Sequence, residues 1–247
     1  MPGIRSAVHE EEMDGTSAMA GWVLTGKDCL YPGIEFISSY IGKMENKLKH
    51  IFLSASIPSP ERDAKYYETA DMIGIRDAVR ALAATILPHA RLVWGGHPSI
   101  TPLIREVLER VGISSCEIEK HVTLYQSAFF EGMFPPDNEC AEHIILTQVG
   151  FSQGVKDRKA SLTEMREQML APAHNYVAGI FIGGMEGVEI EYELFKEHHA
   201  DALLLPMAST GGAALEIYNR NRESFDIRLK NDFDYRTLFS ELLKDRL

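Results

Sequence analysis

Three glycine-pair turns are the segments of this chain best suited to bind a ligand. They lie at residues 93–98, 181–187 and 206–212, and each follows an apolar run and precedes an amphipathic stretch. Glycines let a backbone approach a phosphate closely, and the free N–H groups at a helix N-terminus attract anions. Such turns gather at the carboxyl ends of the strands in an open α/β sheet. The spacing therefore predicts one pocket for a phosphorylated small molecule.

The second turn carries the strongest signal. Its sequence, GGMEGVEIE over residues 183–191, places Glu191 about one turn into the helix that should follow. A carboxylate at that position suits recognition of ligand hydroxyls or acid–base catalysis. An acidic first turn also stabilises a helix through its macrodipole alone, so the sequence leaves both explanations open.

Small polar residues add to the candidate pocket. Thr210 lies at a helix cap position, where a hydroxyl caps the helix or binds phosphate, and His97 is placed to contact a ligand or to lie on the surface. Ser54 and Ser56 end the first strand, where such folds receive ligands. The predicted ligand-binding residues are Ser54, Ser56, Gly95, Gly96, His97, Gly183, Gly184, Met185, Glu186, Gly187, Thr210, Gly211 and Gly212.

An anionic ligand also needs a cation. The candidates are Arg62, Arg76, Arg158, Lys159 and Arg166. A charged residue in a predicted helix is commonly just part of a solvated face, so the pattern alone does not choose among them.

Several common catalytic and metal-binding motifs are absent from the sequence. It contains no GxGxxG, GxxxxGK[ST], GxSxG, HExxH or paired CxxC, which leaves ordinary dinucleotide, P-loop, serine hydrolase, zincin and zinc-ribbon sites unsupported. His198 and His199 point about 100° apart on a helix and are poorly placed to share a metal. We predict neither a metal nor a cofactor. Cys29, Cys116 and Cys140 are expected to be buried, reduced thiols.

The overall charge disfavours several classes of partner. Acidic residues outnumber basic ones by 36 to 25, which gives a net charge of −11. Affinity for nucleic acid rests mainly on lysine and arginine, so no nucleic-acid groove is expected. The N-terminus lacks an apolar stretch behind a basic start, and no segment approaches the roughly 20 apolar residues that span a bilayer. We therefore expect a cytoplasmic protein that binds neither nucleic acid nor membrane.

Apolar periodicity predicts the elements that position these residues. The predicted strands cover 51–56, 91–94, 118–125, 143–148, 176–182 and 202–205, and the predicted helices cover 71–87, 100–111, 161–170, 188–199, 213–222 and 235–243. Ser161 is the predicted cap of its helix, with Glu164 as capping-box partner. Strands that alternate with helices of this length indicate an α/β protein with a parallel sheet and helices on both faces.

The motifs resemble the SLOG superfamily, the Rossmann-like fold shared by the Lonely Guy cytokinin-activating phosphoribohydrolases and the DNA-processing protein DprA. Residues 183–191 are similar to the Lonely Guy motif PGGxGTxxE with one inserted residue, which places Glu191 at the motif glutamate. Arg166 lies about where the family arginine stands. The resemblance implies an α/β, Rossmann-like three-layer sandwich with a mainly parallel sheet. It assigns residues 49–247 to a nucleotide-binding domain and leaves 1–48 as a tail and short appendage.

Two further stretches, at residues 52–58 and 94–102, are similar to SLOG members found beside TIR domains and nucleoside phosphorylases in bacterial conflict systems. This resemblance implies binding of a nucleotide-derived signal, such as one derived from NAD or ADP-ribose, in a defence system. It also implies a homo-oligomer and a TIR-domain partner or effector.

Three functions remain open at this point. The preferred one is a ligand-binding sensor that does not turn its ligand over. The alternative implied by the Lonely Guy resemblance is an N-glycosidase, in which Glu191 is the acid/base or stabilises the oxocarbenium-like centre while Arg166 holds the 5′-phosphate. The third is an assembly subunit whose pocket is vestigial.

Overall fold

A six-stranded parallel sheet organises the chain in this computed structural model, which describes residues 48–87, 89–112, 118, 121–141 and 143–247. The strands are β1 (Lys49–Ser56), β2 (Ala90–Trp94), β3 (Val122–Ser127), β4 (Ile144–Thr147), the short hairpin β5 (Phe151–Ser152) and β6 (Val155–Lys156), β7 (Tyr176–Gly183) and β8 (Leu203–Met207). The helices are α1 (Ala64–Tyr67), α2 (Met72–Ile86), α3 (Thr101–Val111), α4 (Arg158–Met169), α5 (Glu186–His198), α6 (Gly212–Arg220), α7 (Arg228–Asn231) and α8 (Tyr235–Leu242).

The strand order creates a natural place for a ligand. The main sheet runs β4–β3–β2–β1–β7–β8, and every neighbouring pair is parallel, while β5 and β6 form a separate antiparallel hairpin. From β1 the chain adds strands first on one side and then, from β7 onwards, on the other. The order therefore reverses between β1 and β7, and the crevice at their carboxyl ends is the usual ligand site of such sheets.

Helices cover both faces of the sheet, because side chains alternate along buried strands. On β1, Phe52 packs into one hydrophobic cluster, while Ile51 and Leu53 pack into the other. Residues from α2, α3 and α8 belong to the cluster of Ile51, and residues from α4 and α5 belong to that of Phe52. The predicted α/β, Rossmann-like three-layer fold is confirmed.

Several predicted boundaries are wrong, among them the starts of α4, α5 and β3. Helix α4 begins before Ser161, because the side chain of Asp157 accepts the N–H of Ala160 at 2.7 Å and caps the helix there. Helix α5 begins at Glu186 rather than at residue 188, and strand β3 begins at Val122 rather than at residue 118.

Some predictions concern residues outside the described ranges. The N-terminal tail and appendage, apart from residue 48, and the cysteines Cys29 and Cys116 are among them. Cys140 is a free, half-buried cysteine, and burial raises the pKa of its thiol to about 11. Over the residues that the structure describes, no helix combines the length and apolarity needed to cross a bilayer.

Candidate functional site

A cavity of about 560 Å³ opens at the carboxyl ends of the central strands. The end of β1, the glycine turn after β2 and the first turn of α5 border it, and α4 forms a side wall. This is the point at which the strand order reverses. Ligand pockets commonly measure about 300–1,000 Å³, so the space suits a nucleotide-sized molecule.

Many of the predicted site residues meet at this cavity, although they come from distant parts of the sequence. The predicted residues that line it are Ser54, Ser56, Gly95, Gly96, His97, Arg166, Met185, Glu186, Gly187 and Glu191. Their shared position is a structural finding. Contact of each residue with a ligand stays a prediction.

Glu191 is held in one orientation by two partners. Arg166 on α4 donates from Nε to Oε1 of Glu191 at 3.0 Å, and the hydroxyl of Ser54 on β1 donates to Oε2 at 2.5 Å. The side chains of Arg166 and Glu191 are 13% and 14% exposed, and Ser54 is buried. Because both carboxylate oxygens have fixed partners, Glu191 is an ordered negative group at the edge of an open cavity.

The start of α5 offers backbone donors beside this ion pair. Met185 occupies the N-cap position in an extended conformation, and no side chain caps the helix. Uncapped N–H groups at a helix N-terminus carry partial positive charge and suit an anion. A Cβ atom on Gly187 would lie 3.0 Å from Nη2 of Arg166, so the glycine leaves space for the guanidinium next to these donors.

His97 connects the first glycine turn to the end of β1. Its Nδ1 accepts hydrogen bonds from the N–H and, at 2.8 Å, from the hydroxyl of Ser99, whose oxygen in turn accepts the N–H of Ile57. Burial, together with the charge of Arg62, lowers the pKa of His97 to about 4. At neutral pH the ring is therefore uncharged, and this network places its proton on Nε2.

Cations concentrate at the cavity although the chain as a whole is acidic. Arg62, Arg158, Lys159 and Arg166 line it, whereas Arg76 is exposed on α2 and does not. Arg158 places its guanidinium 5.9 Å from the ring centre of Phe130. Against these four cations the lining contains two carboxylates, Glu186 and Glu191, so the cavity favours an anionic ligand. This selects four of the five cation candidates that the sequence left open.

Comparison with protein families agrees with the predicted superfamily. The model of the SLOG cluster3 family matches residues 65–243. The chain belongs to the SLOG cluster3 family. No curated protein matches the chain. Among solved structures, the X-ray structure of the structural-genomics target TM1055 shares 15% identity with it, covers 70% of this chain and 81% of its own, and has a TM-score of 0.44.

One wall of the cavity is mainly apolar, and its residues were not among the site residues predicted from the sequence. A loop after β3 contributes aromatic and proline side chains, and α4 contributes Leu162 and Met165. Gln126 at the end of β3 also lines the cavity and donates to the carbonyl of Gly96 at 3.1 Å. Its polar side chain one residue before the end of β3 was the available signal. The missed lining residues of this wall are Gln126, Phe130, Met133, Phe134, Pro135, Leu162 and Met165.

The third glycine turn of this SLOG chain does not line the cavity. Thr210 is buried, where its hydroxyl donates to the carbonyl of Met207 at 2.6 Å and accepts the N–H of Gly183 at 2.9 Å. A Cβ on Gly211 would lie 1.9 Å from the carbonyl oxygen of Thr69, so close packing requires glycine there. Five predicted ligand-binding residues are closely packed and are not among the residues that line this cavity, and their contact with a ligand stays a prediction: Gly183, Gly184, Thr210, Gly211 and Gly212.

No group of three or more His, Cys, Asp or Glu side chains in the described part of the SLOG chain is arranged to hold a metal ion. The adjacent histidines His198 and His199 both direct a ring nitrogen at the carbonyl oxygen of Leu170, at 2.8 and 3.1 Å. Their rings therefore serve the packing of α5 against the end of α4.

Proposed function

We propose that this SLOG cluster3 protein binds a phosphorylated, nucleotide-derived small molecule in the cavity between β1 and β7. The observation that supports the proposal most is the convergence of four cations on one cavity in a chain of net charge −11. Beside Arg166, the uncapped start of α5 supplies N–H donors for phosphate oxygens. The apolar wall offers a surface on which a base or sugar can pack.

The preferred form of the proposal is a sensor. Both oxygens of Glu191 already have protein partners. A rigid, pre-arranged site favours binding at low entropic cost. A signal derived from NAD or ADP-ribose, a homo-oligomeric assembly and a TIR-domain effector in a defence system are the finer parts of this proposal, and they rest on the sequence resemblance.

Native mass spectrometry tests the binding proposal. The purified protein is incubated separately with NAD, ADP-ribose, cyclic ADP-ribose isomers and AMP. A persistent, unmodified adduct that is weakened in Arg166→Gln supports a sensor. Arg222→Gln is the matched control, because Arg222 lies in the 3₁₀ turn after α6 and outside the cavity lining. Absence of any adduct with all of these compounds would favour an assembly subunit with a vestigial pocket.

A second function, N-glycosidase activity, is favoured by the arrangement of Ser54, Arg166 and Glu191. A preorganised carboxylate stabilises an oxocarbenium-like centre, or acts as acid/base, without having to reorient during the reaction. Arg166, whose Nη2 lies near Gly187 at the start of α5, is placed to hold a phosphate in the same cavity.

Release of free base distinguishes an N-glycosidase from a sensor that does not turn its ligand over. Under the enzyme proposal, the wild-type protein converts AMP or NAD to free adenine or nicotinamide, and Glu191→Gln stops the release while a mass adduct persists. Glu193→Gln makes the same chemical change at an exposed position of α5 and should leave the rate unchanged. Equal release by the wild type and Glu191→Gln would remove Glu191 from the mechanism.

A further inference from the structure

Helix α4 presents cations at both ends of the face that lines the cavity. The residues of α4 in the lining are Arg158, Lys159, Leu162, Met165 and Arg166. Spacings of three, four and seven residues place side chains on one face of a helix. At a rise of 1.5 Å per residue, Lys159 and Arg166 are about 10 Å apart along the helix axis. Leu162 and Met165 separate the two charged ends.

The two ends differ in their partners. Arg166 is paired with Glu191, whereas Arg158 and Lys159 form no ion pair with the residues that the structure describes. Arg158 instead lies over the ring of Phe130, which places its guanidinium at the rim of the cavity. This end of α4 therefore carries two cations without an ion-pair partner, beside the one carboxylate of the helix cap, Asp157.

Helix stability does not account for these two cations. They occupy the first turn of α4, where positive side chains oppose the helix macrodipole. The chain has 36 acidic residues, and none of those described is paired with them. A phosphate bound near Arg166 would lie about 10 Å along α4 from Lys159 and would leave Arg158 and Lys159 without an ion-pair partner.

We infer that the cavity selects a nucleotide with two anionic groups separated by its sugar. One group binds between Arg166 and the start of α5, and the second binds between Arg158 and Lys159 at the rim. Leu162 and Met165 contact the uncharged part of the ligand between them. This inference rests on the proposed function, since it specifies the ligand of the same cavity, and it distinguishes two separated phosphates from one phosphate or two adjacent ones.

Isothermal titration with three adenine nucleotides tests the inference. The probes are adenosine 5′-monophosphate, adenosine 5′-diphosphate and adenosine 3′,5′-bisphosphate, all at one ionic strength because salt screens exposed charges. The bisphosphate should bind at least about tenfold more tightly than the monophosphate, as expected for a second charge-assisted contact. The diphosphate, whose added charge is adjacent to the first, should gain much less.

The variant Arg158→Gln/Lys159→Gln should reduce the ratio of the two affinities to about one. The matched control is Lys230→Gln/Arg236→Gln, which removes the same charge from exposed positions of α7 and α8 and should preserve the ratio. Three outcomes would each overturn this inference but not the proposed function. They are equal affinity for the monophosphate and the bisphosphate, an equal gain in affinity for the diphosphate, and an affinity ratio that is unchanged in Arg158→Gln/Lys159→Gln. Failure of the wild type to bind any probe would contradict the proposed function as well.

Discussion

Ser54 and Glu191 are separated by 137 positions in the chain, yet the serine hydroxyl donates a 2.5 Å hydrogen bond to Oε2 of the carboxylate. Ser54 is 1% exposed, at the carboxyl-terminal part of β1, and Glu191 lies in the second turn of α5. The bond therefore joins β1 to the helix that follows β7, and β1 and β7 are the strands on either side of the reversal in strand order. It fixes the negative group of the cavity before a ligand arrives, which reduces the reorganisation that binding or catalysis requires.

Substitution of Ser54 by alanine should reduce both stability and ligand affinity. A hydrogen bond to a charged group contributes about 1.5–3 kcal/mol, and the lower end applies here because Arg166 and some solvent still stabilise the carboxylate. We expect the free energy of unfolding, measured by urea denaturation, to fall by about 1.5 kcal/mol. Ser56→Ala is the comparison, since it removes a hydroxyl from the same strand without contacting Glu191. Equal losses in the two variants would show that the bond contributes nothing.

Substitution of Gly187 by alanine should weaken ligand binding without lowering the stability of the protein. Gly187 lies in the first turn of α5, where alanine is favoured over glycine by up to about 1 kcal/mol. The new Cβ would lie 3.0 Å from Nη2 of Arg166, so the guanidinium must move by a few tenths of an ångström. We expect an unchanged or higher melting temperature and severalfold weaker binding of AMP in a titration.

The control for Gly187→Ala is Thr163→Ala, which replaces an exposed residue of α4 by a better helix former away from the cavity. It should raise stability slightly and leave the affinity for AMP unchanged. A Gly187→Ala protein that binds AMP as tightly as the wild type would show that the position of Arg166 does not matter for this ligand.

The sequence indicated the six strands of the main sheet and two of the turns that border the cavity. β7 is a continuous apolar run, and β1 contains the apolar run 51–53, which is how strands buried on both faces appear in a sequence. Glycine turns after β2 and β7 then indicated the crevice, and the spacing to Glu191 indicated the carboxylate. These features are local, so a single sequence carries them.

Long-range packing could not be predicted in the same way. Gly211 is needed because its backbone touches Thr69, but the glycine pair that results has the same pattern as a phosphate-binding turn. The hydrogen bond from Ser54 to Glu191 could not be predicted either, since a serine at the end of β1 equally suits contact with a ligand. Close approach of two backbones and close approach of a phosphate both require glycine, and only the fold distinguishes them.

Acid should destabilise the protein through half-buried histidines. Burial, with smaller contributions from Arg91 and His174, lowers the pKa of His50 to about 4, while an unfolded histidine titrates near 6.5. Between these values the unfolded chain binds a proton that the folded chain does not. The free energy of unfolding should therefore be fully retained above pH 6.5 and should decrease as the pH falls toward 4. Urea titrations at several pH values measure this slope.

His50→Phe should make that pH dependence shallower. Phenylalanine retains an aromatic ring opposite Tyr176, whose ring centre lies 6.1 Å from that of His50, but it cannot titrate. His89→Gln is the control, because His89 is exposed. His97, whose pKa is also lowered to about 4, would leave a residual slope in the His50 variant. An identical slope in the wild type and His50→Phe would exclude His50 as a cause.

Substitution of Asp157 tests whether this residue, rather than the predicted Ser161, caps α4. Asp157, rather than Ser161, accepts the N–H of Ala160, and its charge also offsets Arg158 and Lys159 in a turn where cations are unfavourable. Asp157→Ala should therefore lower the free energy of unfolding by about 1 kcal/mol. Asp157→Asn should lower it less, because the amide oxygen still caps the helix although the charge is lost. If Asp157→Asn costs as much as Asp157→Ala, the charge matters more than the hydrogen bond; if neither variant is destabilised, the cap of α4 lies elsewhere.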